Sequence, residues 1–244
     1  MRLAGKTAII SGGARGLGEA MAKLFAENGA KIITCDMGDP QYTCDNVEFY
    51  KLDVTNADAC KQFTEYAVGK YQKIDILINN AGIFTEGTVT QTDFSMWRKI
   101  LSVNVDGAFL CAKYACESML RTGGGTVINI ASEAGLSALP GQTAYNVSKA
   151  ALIMMSQSMA VDYALKNIRV NCVCPGRVMT PLVQHFIDTS PDPDATFKKL
   201  SSDRPVMRMG NPKDMAYACL HFADDSMPYA TGAILSVDGG ATAR

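Results

Sequence analysis

Histidine is nearly missing from this chain: His185 and His221 are the only two, and they are not spaced as a pair of metal ligands. Cysteine is plentiful at eight residues, yet no two form a C-x-x-C pair, and several sit in apolar runs where a thiol serves as a small hydrophobe. Both facts argue against a structural zinc or a disulfide framework. Charge of one sign is missing as well. The 23 Lys and Arg stand against 24 Asp and Glu, giving a formal net charge of -1 with no basic block. Nucleic acid and anionic membranes are poor partners for such a surface. No apolar run nears the roughly 18 residues of a membrane span. Residues 1–6 lead straight into an apolar strand, so no signal peptide is expected. Repeats and low-complexity tracts are also lacking. What remains is 244 residues, 48% hydrophobic and 19% charged, enough for a large core. A reduced, cytoplasmic protein is expected.

The most informative stretch lies near the start. The β-prone run at 7–11 breaks into Gly12-x-x-x-Gly16-x-Gly18, and helical spacing follows over 19–28. Strand, glycine turn and helix together build an anion site, because glycine lets a pyrophosphate approach the backbone and a helix N-terminus offers free N–H groups. A second apolar run, 31–35, ends at Asp36, which lies 18 residues beyond Gly18. That is close to the separation at which a carboxylate bonds the adenosine ribose and repels a 2′-phosphate. Arg15 pulls the other way, since a cation in the loop suits the 2′-phosphate of NADP. Asp36 is the nearer group, so NAD is the expected cofactor.

Along the chain, 37–47 reads as a loop in the place of a helix. Strands are expected at 48–52, 75–79, 126–130, 168–173 and 232–237. Helices are expected at 56–70 (capped by Thr55 or Asn56), 93–120, 145–166 and 212–222. Asn104 falls inside the long second helix, where asparagine competes for backbone bonds. The stretch 179–208 carries Pro181, Pro191, Pro193 and Pro205 and reads as a substrate lid within a single domain spanning 1–244. Alternation of helices with buried, non-alternating strands predicts one doubly wound α/β domain with a parallel sheet. Right-handed crossovers then bring Asp36, Asp53, Asn80, Ser132 and Pro175 to one rim, where a ligand would sit.

Tyr145 and Lys149 share a helix face. A free phenol has a pKa of about 10, and a neighbouring ammonium lowers it. Such a tyrosine can take a proton from an alcohol or return one to a carbonyl.

These motifs resemble the short-chain dehydrogenase/reductase family over essentially the whole chain. Ser11-Gly12-x-x-x-Gly16-x-Gly18 is similar to its cofactor loop, with serine where threonine is usual. Asp53-Val54 resembles its adenine contact, and Asn79-Asn80-Ala81-Gly82 its sheet-stabilising turn. Asn104, Ser132, Tyr145 and Lys149 match its catalytic tetrad. Pro175-Gly176-Arg177-Val178-x-Thr180 resembles its nicotinamide-side loop, and Thr231-Gly232 with Val237-Asp238-Gly239-Gly240 its C-terminal signature. The short 37–47 connection departs from the commoner pattern.

The resemblance implies a Rossmann-type sheet of about seven strands and an NAD-dependent oxidoreductase acting between a secondary alcohol and a ketone. Tyr145 would be the general acid/base, Lys149 would lower its pKa, Ser132 would hold the reacting oxygen and Asn104 would order a water. Cofactor contacts are implied for Gly12, Arg15, Gly16, Leu17, Gly18, Asp36, Met37, Asp53, Val54, Asn80, Ala81, Gly82, Tyr145, Lys149, Pro175, Gly176, Val178 and Thr180. No metal is required. A homotetramer packed through the two long helices is implied, and Met154, Met155 and Met159 serve either that interface or the core. Glu133, Gln142 and Arg177 suit a small polar or sugar-like substrate beside Ser132 and Tyr145. Phe84, Leu136, Leu182 and Phe186 offer an apolar wall. The alternatives are an NADPH-dependent 3-oxoacyl-carrier reductase and a catalytically silent NAD-binding protein.

Overall fold

The computed structural model describes residues 1–243, apart from the side chain of Leu182. Seven parallel strands form one sheet in the order β3-β2-β1-β4-β5-β6-β7. They are β1 (Thr7–Ser11), β2 (Lys31–Asp36), β3 (Val47–Lys51), β4 (Ile76–Asn79), β5 (Gly125–Ile130), β6 (Ile168–Pro175) and β7 (Ile234–Val237). Successive side chains in a strand point to opposite faces, and both faces are covered here. Ile10, Ile78 and Ile128 pack with Phe25 and Leu220 in one core, while Ile9, Leu77 and Val127 pack with Phe63 and Ala115 in the other. The first core is built on helices α1 (Gly16–Glu27) and α8 (Pro212–Ala223), the second on α2 (Ala57–Tyr71) and α4 (Gly107–Thr122). This is the doubly wound architecture, with its order reversing between β1 and β4, where ligands bind in such sheets.

Two expected elements take a different form. The helix expected over 93–120 is divided: α3 (Phe94–Leu101) passes into α4 through a wide π turn at Ser102–Asp106, in which the Gly107 N–H reaches back to the Ser102 carbonyl. Such turns insert one extra residue and often mark functional sites. The stretch 179–208 holds two defined helices, α6 (Pro181–Asp188) and α7 (Pro193–Ser202), each entered through proline after a Thr180 or Asp192 cap. The long helix α5 (Thr143–Tyr163) lies against the second face near β6. Met155 and Met159 pack on the cores, whereas Met154 is 61% exposed.

Candidate active site

The rim at the C-terminal strand ends is assembled by short backbone contacts. The Ser11 hydroxyl accepts from the N–H groups of Asn80 and Ala81, each at 3.1 Å, and the Asn80 amide donates to the carbonyls of Ser11 (3.0 Å) and Gly12 (2.8 Å). These bonds lock the glycine loop to the turn after β4. The loop needs glycine for close approach: a Cβ on Gly18 would lie 2.1 Å from the Gly12 carbonyl oxygen, and one on Gly12 would lie 2.8 Å from Ala81 Cα. The first turn of α1 is therefore pressed onto the strand end with its N–H groups open. That is a cradle for a pyrophosphate, and Thr180 lies across it, beside Gly16.

Asp36 stands at the end of β2 and accepts from the Ala14 N–H at 3.2 Å through Oδ2 and from the Gly38 N–H at 3.2 Å through Oδ1. Its carboxylate is thus fixed against the glycine loop. Tyr42, from the short 37–46 connection, donates to the Gly13 carbonyl at 2.9 Å and braces the same loop. Arg15 and Met37 are exposed beside it. Asp53 is exposed and bonds the Thr55 N–H and hydroxyl, whereas Val54 is buried against Gly107. Leu17 packs on the first core, and Val178 is buried at 4% exposure.

Ser132, Tyr145, Lys149 and Asn104 converge below this loop. Ser132 follows β5 and caps a short helical turn by accepting from the Ala134 N–H at 3.2 Å. The Ser132 side chain lowers the pKa of the Tyr145 phenol, whose ring meets Phe84 edge-on, with centroids 5.1 Å apart. Lys149 Nζ donates to the Ile130 carbonyl at 2.9 Å and lies 5.7 Å from the Tyr145 ring centroid. Asn104, held by the π turn, donates through Nδ2 to the Ile83 carbonyl (2.9 Å) and the Ser148 hydroxyl (3.0 Å), and accepts from the Ile83 N–H at 2.8 Å. Asn104 Oδ1 and Lys149 Nζ both lie against Gly82, at 3.3 and 3.5 Å from where its Cβ would be.

Burial governs the electrostatics of the Tyr145–Lys149 pair. Burial raises the Tyr145 pKa above its ordinary value, the Ser132 side chain lowers it, and the charge of Glu133 raises it further. Burial also lowers Lys149 to about 8, because its ammonium meets a backbone carbonyl in place of water.

The expected substrate groups are only partly brought together. Gln142, just before α5, pairs in register with Gly87 of the Phe84 segment, and Leu136 is exposed. Glu133 does not open towards substrate: it is 4% exposed and ion-paired to Arg204 at 3.4 Å, since a carboxylate enclosed this deeply requires a counter-charge. Arg177 is ion-paired to Asp203 at 2.6 Å and borders a cavity of about 310 Å³. Phe186 is half exposed on α6, and Leu182 of the expected apolar wall lies outside the described residues. Sequence reasoning missed Arg204, Tyr42 and Ile83, none of which carries a local motif. Among the described residues no group of His, Cys, Asp or Glu is arranged to hold a metal ion.

Comparison with known proteins finds relatives over nearly the whole chain. Residues 12–242 match the family model described as Enoyl-(Acyl carrier protein) reductase. An uncharacterized oxidoreductase of Thermotoga maritima is 38% identical over 253 residues, covering 100% of both chains. The 3-oxoacyl-(acyl-carrier-protein) reductase of the same organism is 34% identical, covering 98% of this chain and 99% of that protein. The solved structure of the aldohexose dehydrogenase of Thermoplasma acidophilum, in ligand-free form, is 32% identical with a TM-score of 0.94. It covers 99% of this chain and 96% of that one.

Proposed function

The chain belongs to the short-chain dehydrogenase/reductase family, and from that premise we propose that it is an NAD-dependent dehydrogenase of a secondary alcohol, with Tyr145 as the general acid/base. The family binds a nicotinamide cofactor, and the residues here suit one: a Cβ at Gly12 or Gly18 would clash with the backbone of the cradle, and Asp36 offers a fixed carboxylate beside it. Gly12, Gly16, Gly18, Asp36, Asn80, Ala81, Gly82, Val178 and Thr180 would hold it. When bound, the nicotinamide supplies or accepts the hydride.

The rest of the chemistry belongs to the chain. Ser132 Oγ holds the reacting oxygen beside the Tyr145 hydroxyl, which takes the proton from an alcohol or returns it to a carbonyl. The Lys149 ammonium favours the phenolate from below. A water against Gly82, held between Asn104 Oδ1 and Lys149 Nζ, would carry that proton outward. The observation that carries this reading is the convergence of Ser132, Tyr145 and Asn104 with Lys149, which is buried one turn along α5.

Small polar alcohols or sugar-like compounds are the substrate class we favour, supported by the aldohexose dehydrogenase likeness and by Gln142, just before α5. Residues 179–208 form the lid over the site in this reading, with Thr180 at its root. All eight cysteines are free and seven are buried, which suits the cytoplasm. Among the described residues no helix is long and apolar enough to cross a membrane. A homotetramer packed through α4 and α5 completes the proposal. A second reading, an NADPH-dependent 3-oxoacyl-carrier reductase, is favoured by the exposed Arg15 at the start of α1 and by the reductase relative.

The test is reduction of NAD and of NADP, each separately, by a panel of sugars, polyols, hydroxy acids and 3-hydroxyacyl thioesters. Turnover of a sugar or polyol with NAD is expected. Turnover only of thioesters with NADP would replace this reading with the second, and tight NADH binding with no turnover would mark a silent binding protein.

A further inference from the structure

Two hydrogen bonds meet on one peptide of the glycine loop. The Gly13 carbonyl accepts from the Tyr42 hydroxyl at 2.9 Å. The Ala14 N–H, at the other end of the same peptide, donates to Asp36 Oδ2 at 3.2 Å. A trans peptide is planar, with its C=O and N–H pointing in opposite directions, so turning one end turns the other. Tyr42 and Asp36 therefore grip this unit from its two sides. The Gly13 N–H donates to the Cys35 carbonyl at 3.1 Å, and a Cβ on Gly13 would lie 2.4 Å from Thr34 Cβ, so the loop rests directly on β2. Tyr42 is itself held, with Lys23 Nζ of α1 4.9 Å from its ring centroid and Lys23 paired to Glu19 at 2.5 Å. Asp36 places its second oxygen on the Gly38 N–H at 3.2 Å.

We propose that Tyr42 is a positioning residue for cofactor choice: by holding the Gly13 carbonyl it fixes the Ala14 N–H, and through that N–H the direction of the Asp36 carboxylate. The proposal rests on Asp36 facing the adenosine ribose. A carboxylate held in one direction bonds the ribose hydroxyls and repels a 2′-phosphate, whereas one that swings loses part of both effects. A group fixed before the ligand arrives also avoids the cost of being ordered by it. Without the Tyr42 hydroxyl, NADH should bind less well and NADPH should be rejected less strongly. A general loosening of the loop would act differently. The loop cradles the pyrophosphate that both cofactors share, so such a loosening would weaken the two alike.

The experiment measures the dissociation constants of NADH and NADPH by calorimetric titration of wild type, Tyr42→Phe, Asp36→Ala and the double variant. Tyr42→Phe keeps the ring beside Lys23 and removes only the donor. The ratio of the NADPH constant to the NADH constant is expected to fall about three- to tenfold in Tyr42→Phe, as for the loss of one hydrogen bond. It should fall further in Asp36→Ala, and adding Tyr42→Phe to Asp36→Ala should change it no more. Equal weakening of both cofactors overturns the proposal, as does a Tyr42→Phe effect that persists without Asp36. Amide exchange followed by NMR in the cofactor-free protein reads the peptide itself. The Ala14 N–H should exchange faster in Tyr42→Phe, and an unchanged rate also overturns the proposal. If Asp36→Ala shifts the ratio while Tyr42→Phe does not, the inference falls alone; if Asp36→Ala leaves the ratio unchanged, the reading of Asp36 falls and the inference with it.

Discussion

A lysine that must reach a backbone carbonyl inside the protein gives up its hydration to do so. Burial lowers Lys149 from 10.5 to about 8. Between about pH 8 and 10.5 the unfolded chain holds a proton that the folded chain has released, so stability rises with pH across that window. Below about pH 8 the full cost is present, about 3 kcal/mol at 1.36 kcal/mol per pH unit. Lys149→Met removes that cost but leaves the Ile130 carbonyl without its donor, a loss of about 1 kcal/mol. Denaturant unfolding should therefore show the variant about 2 kcal/mol more stable at pH 7, with the gap closing towards pH 10, while turnover collapses. A less stable variant at pH 7 would show that the ammonium is well solvated after all. Asp36 carries the other prediction at this scale. Its fixed carboxylate would face the adenosine ribose and repel a 2′-phosphate, so Asp36→Ala should raise kcat/KM with NADP while lowering it with NAD. An unchanged ratio would remove Asp36 from cofactor choice.

Among the elements, the π turn between α3 and α4 has the most consequence. It turns Asn104 inward, where one amide satisfies the N–H and carbonyl of Ile83 and the hydroxyl of Ser148. Asn104→Ala leaves those groups without partners at a cost of about 1–3 kcal/mol and loosens the Phe84 segment that covers Tyr145. Chemical unfolding and turnover should both fall, whereas cofactor affinity, set mainly at the glycine loop, should change little. Loss of cofactor binding alone would contradict this division. Asn104 was visible in the sequence as an ill-suited residue in a helix, but the extra residue in the turn was not, since nothing local distinguishes Ser102–Asp106 from ordinary helix. The strands and the Tyr145–Lys149 pair were legible because hydrophobic runs and four-residue spacing are local signals. The ion pairs of Glu133 and Arg177 were not legible, for the opposite reason. Their partners, Arg204 and Asp203, lie 71 and 26 residues away in a polar stretch that reads as solvent-facing.

At the scale of the molecule, the sheet order determines that everything chemical meets at one rim, and the sequence showed this through where its strands end. The proposed tetramer would cover the outward faces of α4 and α5, where Phe109 is 53% exposed, Met154 61% and Val161 81%. Burial of these residues between subunits predicts a tetramer by light scattering, and Met154→Glu combined with Phe109→Glu should reduce it to dimers or monomers. A wild-type protein that runs as a monomer would assign that surface elsewhere.

In the proposed mechanism Tyr145 moves the proton, so turnover must collapse in the Tyr145→Phe protein. With the best alcohol from the panel and saturating NAD, kcat should fall about 10²- to 10⁴-fold, while NADH still binds with near wild-type affinity. A variant that binds NADH normally and retains turnover within a few-fold of wild type would contradict the account.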